Sequence, residues 1–550
     1  MKFCGIKATH DGAVAVIEDG RLILSCECEK VDNRPRYSSF EDLAEVEDLL
    51  QENGYSLSEM DAVAFDGWHK PNKIRRWRGI ELELRLGPYV TGIRSQALVS
   101  PTRGQLLDLD YLTFPHYASH VAAAYCTSPF ADAGEPALIL SWDGLMYPYL
   151  YECRGDLTKT QTIGSVFPLI GNAYPVLAGS FPPFDDRAPS LENLGLAGKI
   201  MAYAALGTPR PDVIAKIAAI LREAHAESRA SSPFGSDQSF QLEAGVERLQ
   251  ELTPALRLPG VPSTDMIASV DSYMGAALVD GVERALQRMP EAPRNLCLTG
   301  GTALNINWNR DLRDTGLFDA VWVPPFPNDS GAAIGVACCT MATVEGRSAV
   351  EWDVFSGPPL REAPHPPGWT AAACSLPQLA GVLNDTGEPV VFLTARAEVG
   401  PRALGHRSIL AVATDHGMHD RLNDMKERES YRPIAPVCLE EAAPAIFDPG
   451  TPDPYMLFNH RVRDPWRDRT PAICHVDGTA RLQTVNQGQC PELVELLRAY
   501  HDASGIPLLC NTSANFRGCG FFPDVASAMR WGKARYVWSD GTLYERPEPS

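Results

Sequence analysis

Two histidines four residues apart, His116 and His120, have the spacing of a metal site. Pro115 precedes them and the Ala-rich segment VAAAYC follows. A proline in the first turn followed by alanines favours a helix, and a spacing of four places both imidazoles on one face. Such a pair can bind a metal ion with two nitrogens. Because a chain with 12 histidines also produces this spacing by chance, ordinary helical positions remain the alternative.

Two aspartates extend this candidate metal site. Asp143 follows the apolar segment ALILS and precedes Gly144, which would expose its carboxylate at the end of a strand. Asp329 lies in PPFPNDSGAAIG, shortly before a glycine that can open a helix. Two imidazoles and two carboxylates suit iron, manganese or zinc rather than a metal that prefers thiolates. The alternative for each aspartate, above all for Asp329, is a helix cap.

A Gly-Gly turn, Gly300 and Gly301, follows a predicted strand in LTGGTALNINWN. Without Cβ atoms, the backbone N–H groups of such a turn can approach a phosphate closely. A Gly-Gly turn after a strand does not by itself indicate phosphate binding; what makes this one notable is that the Asp329 segment follows it soon afterwards.

Cations gather in the C-terminal third, within apolar segments that contain glycine and proline. They suggest a compact pocket for phosphate or carboxylate, since arginine binds such groups with two parallel hydrogen bonds. Salt bridges to the many glutamates are the alternative. A buried strand, LLC, precedes three polar residues that complete this group. The residues concerned are Arg396, Arg402, His406, Arg407, Lys426, Arg428, Arg432, Arg481, Asn511, Thr512 and Ser513.

The elements that would position these residues begin with a repeated pattern. The first thirty residues show two apolar strands joined by Asp19-Gly20, a strong hairpin signal. Residues 137–156 repeat the order of strand, acidic-Gly turn, strand and turn. The repeat suggests two related α/β lobes that face each other across a cleft. Two unrelated hairpins are the alternative.

A proline-rich segment divides the chain. Residues 356–368, SGPPLREAPHPPG, contain five prolines, which neither a helix nor a central strand accommodates. We predict a first domain over 1–355, a linker over 356–369 and a second βα domain over 370–550. Within the first domain, 190–290 is helix-rich, and its polar segment 225–240 is predicted to be a surface loop.

The composition excludes several classes of protein. The chain has 550 residues, is 45% hydrophobic and carries a net charge of −20. That charge argues against duplex DNA or an anionic membrane as the main partner. We find neither a signal peptide nor an apolar run long enough to span a membrane, and the 14 cysteines contain no CxxC pair. We therefore expect a cytoplasmic protein; a homodimer stays open.

At these motifs the chain resembles the family of nodulation proteins and antibiotic O-carbamoyltransferases. The resemblance rests on KATHDGAVAVIEDGR, GKIMAYAALG, LTGGTALN, RAEVGPRALGHRSIL, YRPIAPV, HVDGTARLQTV and NTSANFRG, in order along nearly the whole chain. The opening segment looks closest to the cephalosporin hydroxymethyl carbamoyltransferases, and relatives that modify macrolides are also similar.

The resemblance implies a fold and two reactions. Domain 1–355 would be a duplicated actin/hexokinase-like domain, similar to the protein that transfers threonylcarbamoyl to tRNA. Domain 370–550 would be an α/β carbamoyladenylate-forming (YrdC-like) domain. The second domain would make carbamoyladenylate from carbamoyl phosphate and ATP, with Mg²⁺ as a further metal to consider. The first would transfer the carbamoyl group to a hydroxyl of a natural product.

The family pattern also implies roles for individual residues. His10 would be the base that activates the acceptor, and the metal, usually iron, with manganese or another divalent ion in its place, would be held by His116, His120, Asp143 and Asp329. The nucleotide would contact Gly198, Lys199, Gly300 and Gly301. Carbamoyl phosphate would be bound by Lys426, Arg432, Arg481, Asn511, Ser513 and, in addition, Arg402.

Three other functions compete with this one. They are a tRNA threonylcarbamoyl-modifying enzyme, a nucleotide-binding regulatory protein and a sugar or acetate kinase. The charge opposes the first, the cation cluster opposes the second, and a kinase would not need a second anion-binding domain. For the acceptor we favour a macrolide or glycosylated polyketide antibiotic, with the 3-hydroxymethylcephem as the alternative.

Overall fold

A six-stranded sheet opens the chain. The computed structural model describes residues 1–69, 72–89, 97–185, 194–231, 249–251 and 253–546. The sheet has the order β3-β2-β1-β4-β8-β7, and β5 and β6 form a separate hairpin. The elements are β1 (Lys2–Lys7), β2 (Ala13–Glu18), β3 (Arg21–Glu27), α1 (Ala44–Glu52), β4 (Ala62–Asp66), β5 (Asn72–Trp77), β6 (Ile80–Arg85), β7 (Thr102–Leu106) and β8 (Leu109–Phe114).

The turn between β2 and β3 has the conformation that the sequence predicts. Asp19 and Gly20 have φ angles of 50° and 81°, and a type I′ turn requires positive φ at both positions. β1 pairs antiparallel with β2 and parallel with β4. The carboxyl ends of β1 and β4 therefore lie side by side.

A second sheet repeats this arrangement. Its order is β11-β10-β9-β12-β13, and β9 pairs antiparallel with β10 and parallel with β12. It matches the order β3-β2-β1-β4-β8 strand for strand, so the predicted duplication and actin/hexokinase-like fold class are confirmed. The strands are β9 (Ala137–Ser141), β10 (Tyr149–Cys153), β11 (Gln161–Ser165), β12 (Asn295–Thr299) and β13 (Ala320–Trp322).

Two buried helices, α2 and α9, lie between the two sheets. α9 packs on α2, β1, β2 and β4, whereas α2 also contacts β9 and β12. Both helices are apolar around nearly their whole circumference, as expected for helices covered on all sides. The helices of the N-terminal lobes are α2 (His116–Cys126), α3 (Pro129–Asp132), α4 (Ala173–Ala178), α5 (Leu196–Ala204), α6 (Pro211–Ser231), α7 (Ser263–Leu286), α8 (Ile306–Asp314) and α9 (Ala332–Glu345).

The predicted surface loop over 225–240 is wrong in its first half. α6 continues to Ser231, because Ala, Glu and Arg are good helix formers even in a polar segment. Residues 232–240 lie outside the described residues.

An eight-stranded mixed sheet forms the C-terminal part, in the order β14-β24-β23-β15-β16-β22-β17-β21, beside a small sheet, β18-β19-β20. Its strands are β14 (Thr370–Ala373), β15 (Val390–Leu393), β16 (Arg407–Ala411), β17 (Ala435–Leu439), β18 (Phe447–Asp448), β19 (His460–Val462), β20 (Thr479–Ala480), β21 (Gln483–Val485), β22 (Leu508–Ser513), β23 (Tyr536–Ser539) and β24 (Thr542–Glu545). Its helices are α10 (Leu376–Thr386), α11 (Met418–Met425), α12 (Ala443–Ile446), α13 (Asp464–Arg467), α14 (Pro491–Ser504) and α15 (Val525–Trp531).

The proline-rich segment contains neither a helix nor a strand, but its N-terminal end is held in place. Ser25 N–H donates to Ser356 O at 2.8 Å, and Gly357 N–H donates to Ala397 O at 3.0 Å. These bonds tie the segment to β3 on one side and to the loop before β16 on the other. Among the described residues, no helix is long and apolar enough to cross a membrane.

Close packing of α9 on α2 depends on Gly335. A Cβ there would lie 1.9 Å from Ser119 O, whereas a Cβ at Gly381 in α10 would meet nothing within 4 Å. We predict that Gly335→Ala destabilises the protein by about 1–3 kcal/mol through overpacking. Gly381→Ala, the matched control, stabilises its helix by up to about 1 kcal/mol. Thermal unfolding midpoints should therefore shift in opposite directions, and a Gly335→Ala variant as stable as wild type would contradict the packing argument.

Candidate functional site

The structure brings together all four residues of the predicted metal site. One nitrogen or oxygen atom from each of His116, His120, Asp143 and Asp329 lies within 4.8 Å of the others. Asp329 Oδ1 is 3.4 Å from His116 Nε2 and 3.3 Å from His120 Nε2. Three of the four are buried, and Asp143 is half-buried. The cluster lies between the two lobes.

Three of these four residues lie at or near the end of an element, and His120 lies one turn inside α2. α2 begins at His116, Asp143 follows β9 by two residues, and Asp329 begins the short turn that leads into α9. The alternative for Asp329, a helix cap, does not describe its side chain, which points to the histidines and makes no cap hydrogen bond. The close contact of α2 and α9 at Gly335 brings the histidines to this aspartate.

A buried cation that the sequence analysis missed supports the cluster. Lys7 Nζ lies 2.8 Å from both Asp66 Oδ2 and Asp329 Oδ2, and its side chain is 1% exposed. Burial opposes its charge, yet Asp329 and Asp66 outweigh burial and raise the pKa of Lys7 above its usual range. Removing one partner from such a buried set leaves an uncompensated charge, at a cost of about 3–5 kcal/mol.

Asp66 also orients His116. The Nδ1 of His116 lies 2.8 Å from Asp66 Oδ2, so Nε2, which is 3.4 Å from Asp329 Oδ1, is the nitrogen available to a metal. Burial lowers the pKa of His116, but the negative charge of Asp66 more than offsets burial and raises it to about 9. A signal for Asp66 was present in AVAFDG, which has the same strand-Asp-Gly order as the segment that contains Asp143.

His10 lies beside this cluster, in the turn that follows β1. Its Nε2 is 3.6 Å from Asp329 Oδ2, and its Nδ1 is 2.8 Å from Asp11 Oδ2. About a third of the side chain is exposed, and Trp68 packs against it edge to face. A half-exposed imidazole held by a carboxylate can accept a proton from a bound alcohol.

The donor set fits a divalent transition metal. Two imidazole nitrogens and two carboxylate oxygens converge, one histidine has a carboxylate partner on its second nitrogen, and Lys7 balances the excess negative charge. Iron, manganese and zinc match this set; Mg²⁺ prefers oxygen ligands alone.

We predict that Asp66→Asn weakens metal binding by about 10–100-fold, because His116 loses its orienting carboxylate. Titration of the metal-free protein with Mn²⁺ measures the affinity. Asp110→Asn, an exposed aspartate on β8, is the control and should leave the affinity unchanged. Equal affinity in Asp66→Asn and wild type would show that Asp66 does not orient a ligand.

A basic pocket lies where the N-terminal and C-terminal parts meet. Its empty volume, including open solvent at its mouth, is about 640 Å³. The lining combines Gly198 and neighbours from α5, Asn307 from α8, and a set of cations from the C-terminal part. The pocket cations are Arg402, Arg428, Arg432, Arg481 and, when protonated, His475.

The arginines of this pocket lack protein partners at several donor atoms. Arg402 Nε, Arg428 Nη2 and Arg481 Nε are buried without a hydrogen-bond partner. Burial lowers the pKa of Arg481 to about 9, and the charges of Arg428 and Arg432 add to this effect. Because buried cations that repel one another are costly, a bound anion would stabilise this arrangement. Among the described residues, the alternative of ordinary salt bridges accounts for one pocket arginine, Arg432, which lies 3.9 Å from Glu429.

Lys426, Asn511 and Ser513 are not among the residues that line this pocket. Lys426 Nζ donates to Ser513 O at 2.7 Å and to Asn515 O at 2.9 Å, and the lysine is buried. Asn511 Nδ2 donates to Ala403 O at 3.0 Å, next to Arg402. The strand end that carries Asn511 and Ser513 therefore lies behind the pocket arginines.

Arg36 links the two groups, and sequence reasoning missed its role. Burial lowers the pKa of Lys426 well below its usual value, and the charge of Arg36 is the next contribution. Arg36 also lowers the pKa values of Arg402 and Arg432. The residue reaches the C-terminal part directly, since its Nε donates to Cys519 O at 3.3 Å. The signal would have been the segment RPRYS, which follows β3.

The predicted nucleotide contacts fall in two places. Gly301 N–H donates to Asp143 Oδ1, so the Gly-Gly turn adjoins the metal-type cluster. Gly300 has a φ of 88°, and a Cβ there would lie 2.2 Å from Trp142 O. Gly198 lies in the basic pocket, and Lys199 Nζ pairs with Glu429 at 2.9 Å.

Comparison with known proteins shows the family to which the chain belongs. A family model described as "Carbamoyltransferase N-terminus" matches residues 2–98 and 82–338, and one described as "Carbamoyltransferase C-terminus" matches residues 382–537. Nodulation protein U of Sinorhizobium fredii is 44% identical over 558 residues, covering 100% of this chain and 99% of that protein. The 3'-hydroxymethylcephem-O-carbamoyltransferase of Amycolatopsis lactamdurans is 34% identical over 561 residues, covering 100% of both chains.

Among solved structures, HypF of T. kodakarensis covers 63% of this chain and 48% of its own, with 13% identity and a TM-score of 0.30, too low to support an argument. The matches to the family models, by contrast, cover the sheets of both N-terminal lobes and the residues that line the basic pocket. The chain belongs to the carbamoyltransferase family and is an O-carbamoyltransferase.

Proposed function

We propose that this O-carbamoyltransferase activates the carbamoyl group with ATP in residues 370–550 and transfers it in residues 1–355. The observation that carries the proposal is the basic pocket, in which buried arginines with free donor atoms face α5 of the N-terminal part. Arginines in such a pocket bind the phosphate of carbamoyl phosphate and keep the reactive carbamate formed there away from bulk water.

Activation consumes carbamoyl phosphate and ATP. Water releases phosphate from carbamoyl phosphate, and an oxygen of the resulting carbamate attacks the α-phosphorus of ATP, with pyrophosphate as the leaving group. Arg402, Arg432 and Arg481 bind the phosphates, and Lys426 fixes the strand end at Ser513 behind them. Mg²⁺ is proposed to accompany the triphosphate, as is usual for ATP.

Transfer is proposed to occur between the lobes. His10 takes the proton of an acceptor hydroxyl, the oxygen attacks the carbamoyl carbon, and AMP leaves. A divalent metal, with iron as the first candidate and manganese as the next, would be held by His116, His120, Asp143 and Asp329. Such a metal supplies Lewis-acid polarisation of an oxygen and fixes its orientation.

The acceptor is proposed to be a hydroxyl of a natural product. A macrolide or glycosylated polyketide is the candidate favoured by the sequence. The 3-hydroxymethylcephem is the second, because two relatives, at 33% and 34% identity, are named for that acceptor. A tRNA substrate is disfavoured by the net charge of −20, since RNA binding requires a basic surface.

We predict that substitutions in the two domains stop different steps. Lys426→Ala should abolish formation of carbamoyladenylate. His10→Asn should leave its formation unchanged and reduce transfer at least about 100-fold, the contribution of a general base. Mass spectrometry of the adenylate and of the carbamoylated acceptor measures both steps. Arg421→Ala, an exposed arginine on α11, is the control and should retain both. Failure of Lys426→Ala and His10→Asn at the same step would contradict the division.

The first experiment omits the acceptor. The protein is incubated with ATP, carbamoyl phosphate and Fe²⁺ or Mn²⁺, and carbamoyladenylate and pyrophosphate are measured. Formation of both supports activation, and the acceptor is then sought among a macrolide, a glycosylated polyketide and a 3-hydroxymethylcephem. A folded protein that binds ATP but forms neither product would overturn the proposal in favour of a regulatory protein.

A further inference from the structure

A second group of side chains that could bind a metal lies in the C-terminal part, away from the cluster between the lobes. His406, Cys490 and Glu492 each place one ligand atom within 4.8 Å of the others. Glu492 Oε2 is 3.9 Å from both His406 Nε2 and Cys490 Sγ. The histidine and the cysteine are 5% and 2% exposed, whereas the glutamate side chain is 37% exposed. The group is therefore closed on one side and open to water on the other.

The imidazole of His406 is oriented as in a metal site. Its Nδ1 lies 2.7 Å from Arg396 O, which holds the proton on Nδ1. Phe355 stacks on the ring, with centroids 3.5 Å apart. Nε2 is then a lone-pair donor, and it is buried with no hydrogen-bond partner. A backbone carbonyl on one ring nitrogen and a free lone pair on the other is the arrangement that metal-binding histidines adopt.

The three donors fit a tetrahedral ion. Ligands bonded at about 2.0–2.3 Å to a tetrahedral Zn²⁺ lie about 3.3–3.8 Å apart, and Glu492 Oε2 lies 3.9 Å from each of the other two donors, slightly beyond that range without an ion. Imidazole, thiolate and carboxylate together match zinc and the metals similar to it. We propose that His406, Cys490 and Glu492 bind a Zn²⁺-type ion, with a water on the exposed side as the fourth ligand.

Such an ion would join two segments that the sequence places far apart. His406 ends the loop that carries Arg402 of the basic pocket, and Cys490 and Glu492 lie at the start of α14. The loop is otherwise shaped by Glu398, whose Oε1 accepts hydrogen bonds from the backbone N–H groups of residues 404–407. The proposed role of the ion is to position this loop, and the proposal does not depend on the proposed reaction.

Cobalt(II) tests the site in the full-length wild-type protein, because a thiolate bonded to Co²⁺ gives a sulfur-to-metal charge-transfer band. The cluster of His116, His120, Asp143 and Asp329 contains no sulfur and cannot give this band. Metal-free protein titrated with Co²⁺ should develop it, and Zn²⁺ should abolish it. Burial raises the pKa of Cys490 to about 12, so binding should also release a proton.

Variants test whether the charge-transfer band comes from Co²⁺ bound to these three residues. Cys490→Ser should lose it together with one equivalent of bound Zn²⁺ per chain, measured by elemental analysis. Glu492→Gln, at an exposed side chain that folding tolerates, should weaken Co²⁺ binding by about tenfold or more. Cys374→Ser, at a buried cysteine that belongs to neither group of ligand types, is the matched control and should keep the band. Absence of the band in wild type, or its retention in Cys490→Ser, would overturn the proposal.

Discussion

One positive charge, that of Lys7, lies between two buried carboxylates and joins the first sheet to the turn that leads into α9. Lys7 ends β1, Asp66 ends β4, and Asp329 begins the turn into α9. Because each charge would be costly to bury alone, the three elements must meet with their ends in register. His116 and His120 then face Asp329 as a consequence of that register.

The basic pocket uses the opposite arrangement. In the cluster between the lobes, buried charges of both signs balance one another, whereas in the pocket four arginines outnumber the nearby carboxylates, Asp477 in the lining and Glu429 beside Arg432. Burial lowers the pKa of Arg481 to about 9, and repulsion from Arg428 and Arg432 adds to this effect and lowers the stability of the protein without a ligand. Folded proteins accept such a cost where an anion binds, since the anion recovers the lost interactions.

Sequence reasoning found the residues whose neighbours in the chain reveal their role. HxxxH on an Ala-rich helix, Asp-Gly after an apolar strand and arginines beside glycines are local patterns, and the structure brings His116, His120, Asp143 and Asp329 together. The role of Lys7 was not predicted, because a lysine at the end of an apolar strand normally reaches solvent. Only the parallel pairing of β1 with β4 and the position of α9, both contacts between distant segments of the chain, reveal its partners. The duplicated fold was readable because the order of strand, acidic-Gly turn, strand and turn occurs twice in the chain. The chemistry of the Asp19-Gly20 turn accounts for the β2–β3 pair, whereas Asp143 and Gly144 lie in a longer connection between β9 and β10. The contacts between the N-terminal and C-terminal parts have no such local signal, as Arg36 shows by bonding to Cys519 and acting on Lys426.

The contact between α5 of the N-terminal part and residues 428–432 of the C-terminal part has a chemical consequence. Lys199 of α5 pairs with Glu429, and Tyr203 packs edge to face on Tyr431, so α5 contacts the segment that carries Arg428 and Arg432. A reactive carbamoyl compound made in the basic pocket would be lost to water if it had to leave the protein. If activation and transfer occur on the two sides of this contact, the ion pair and the aromatic contact hold α5 against the pocket and shield that side of it from water. Weakening these two contacts would let water reach the intermediate and would raise its rate of hydrolysis.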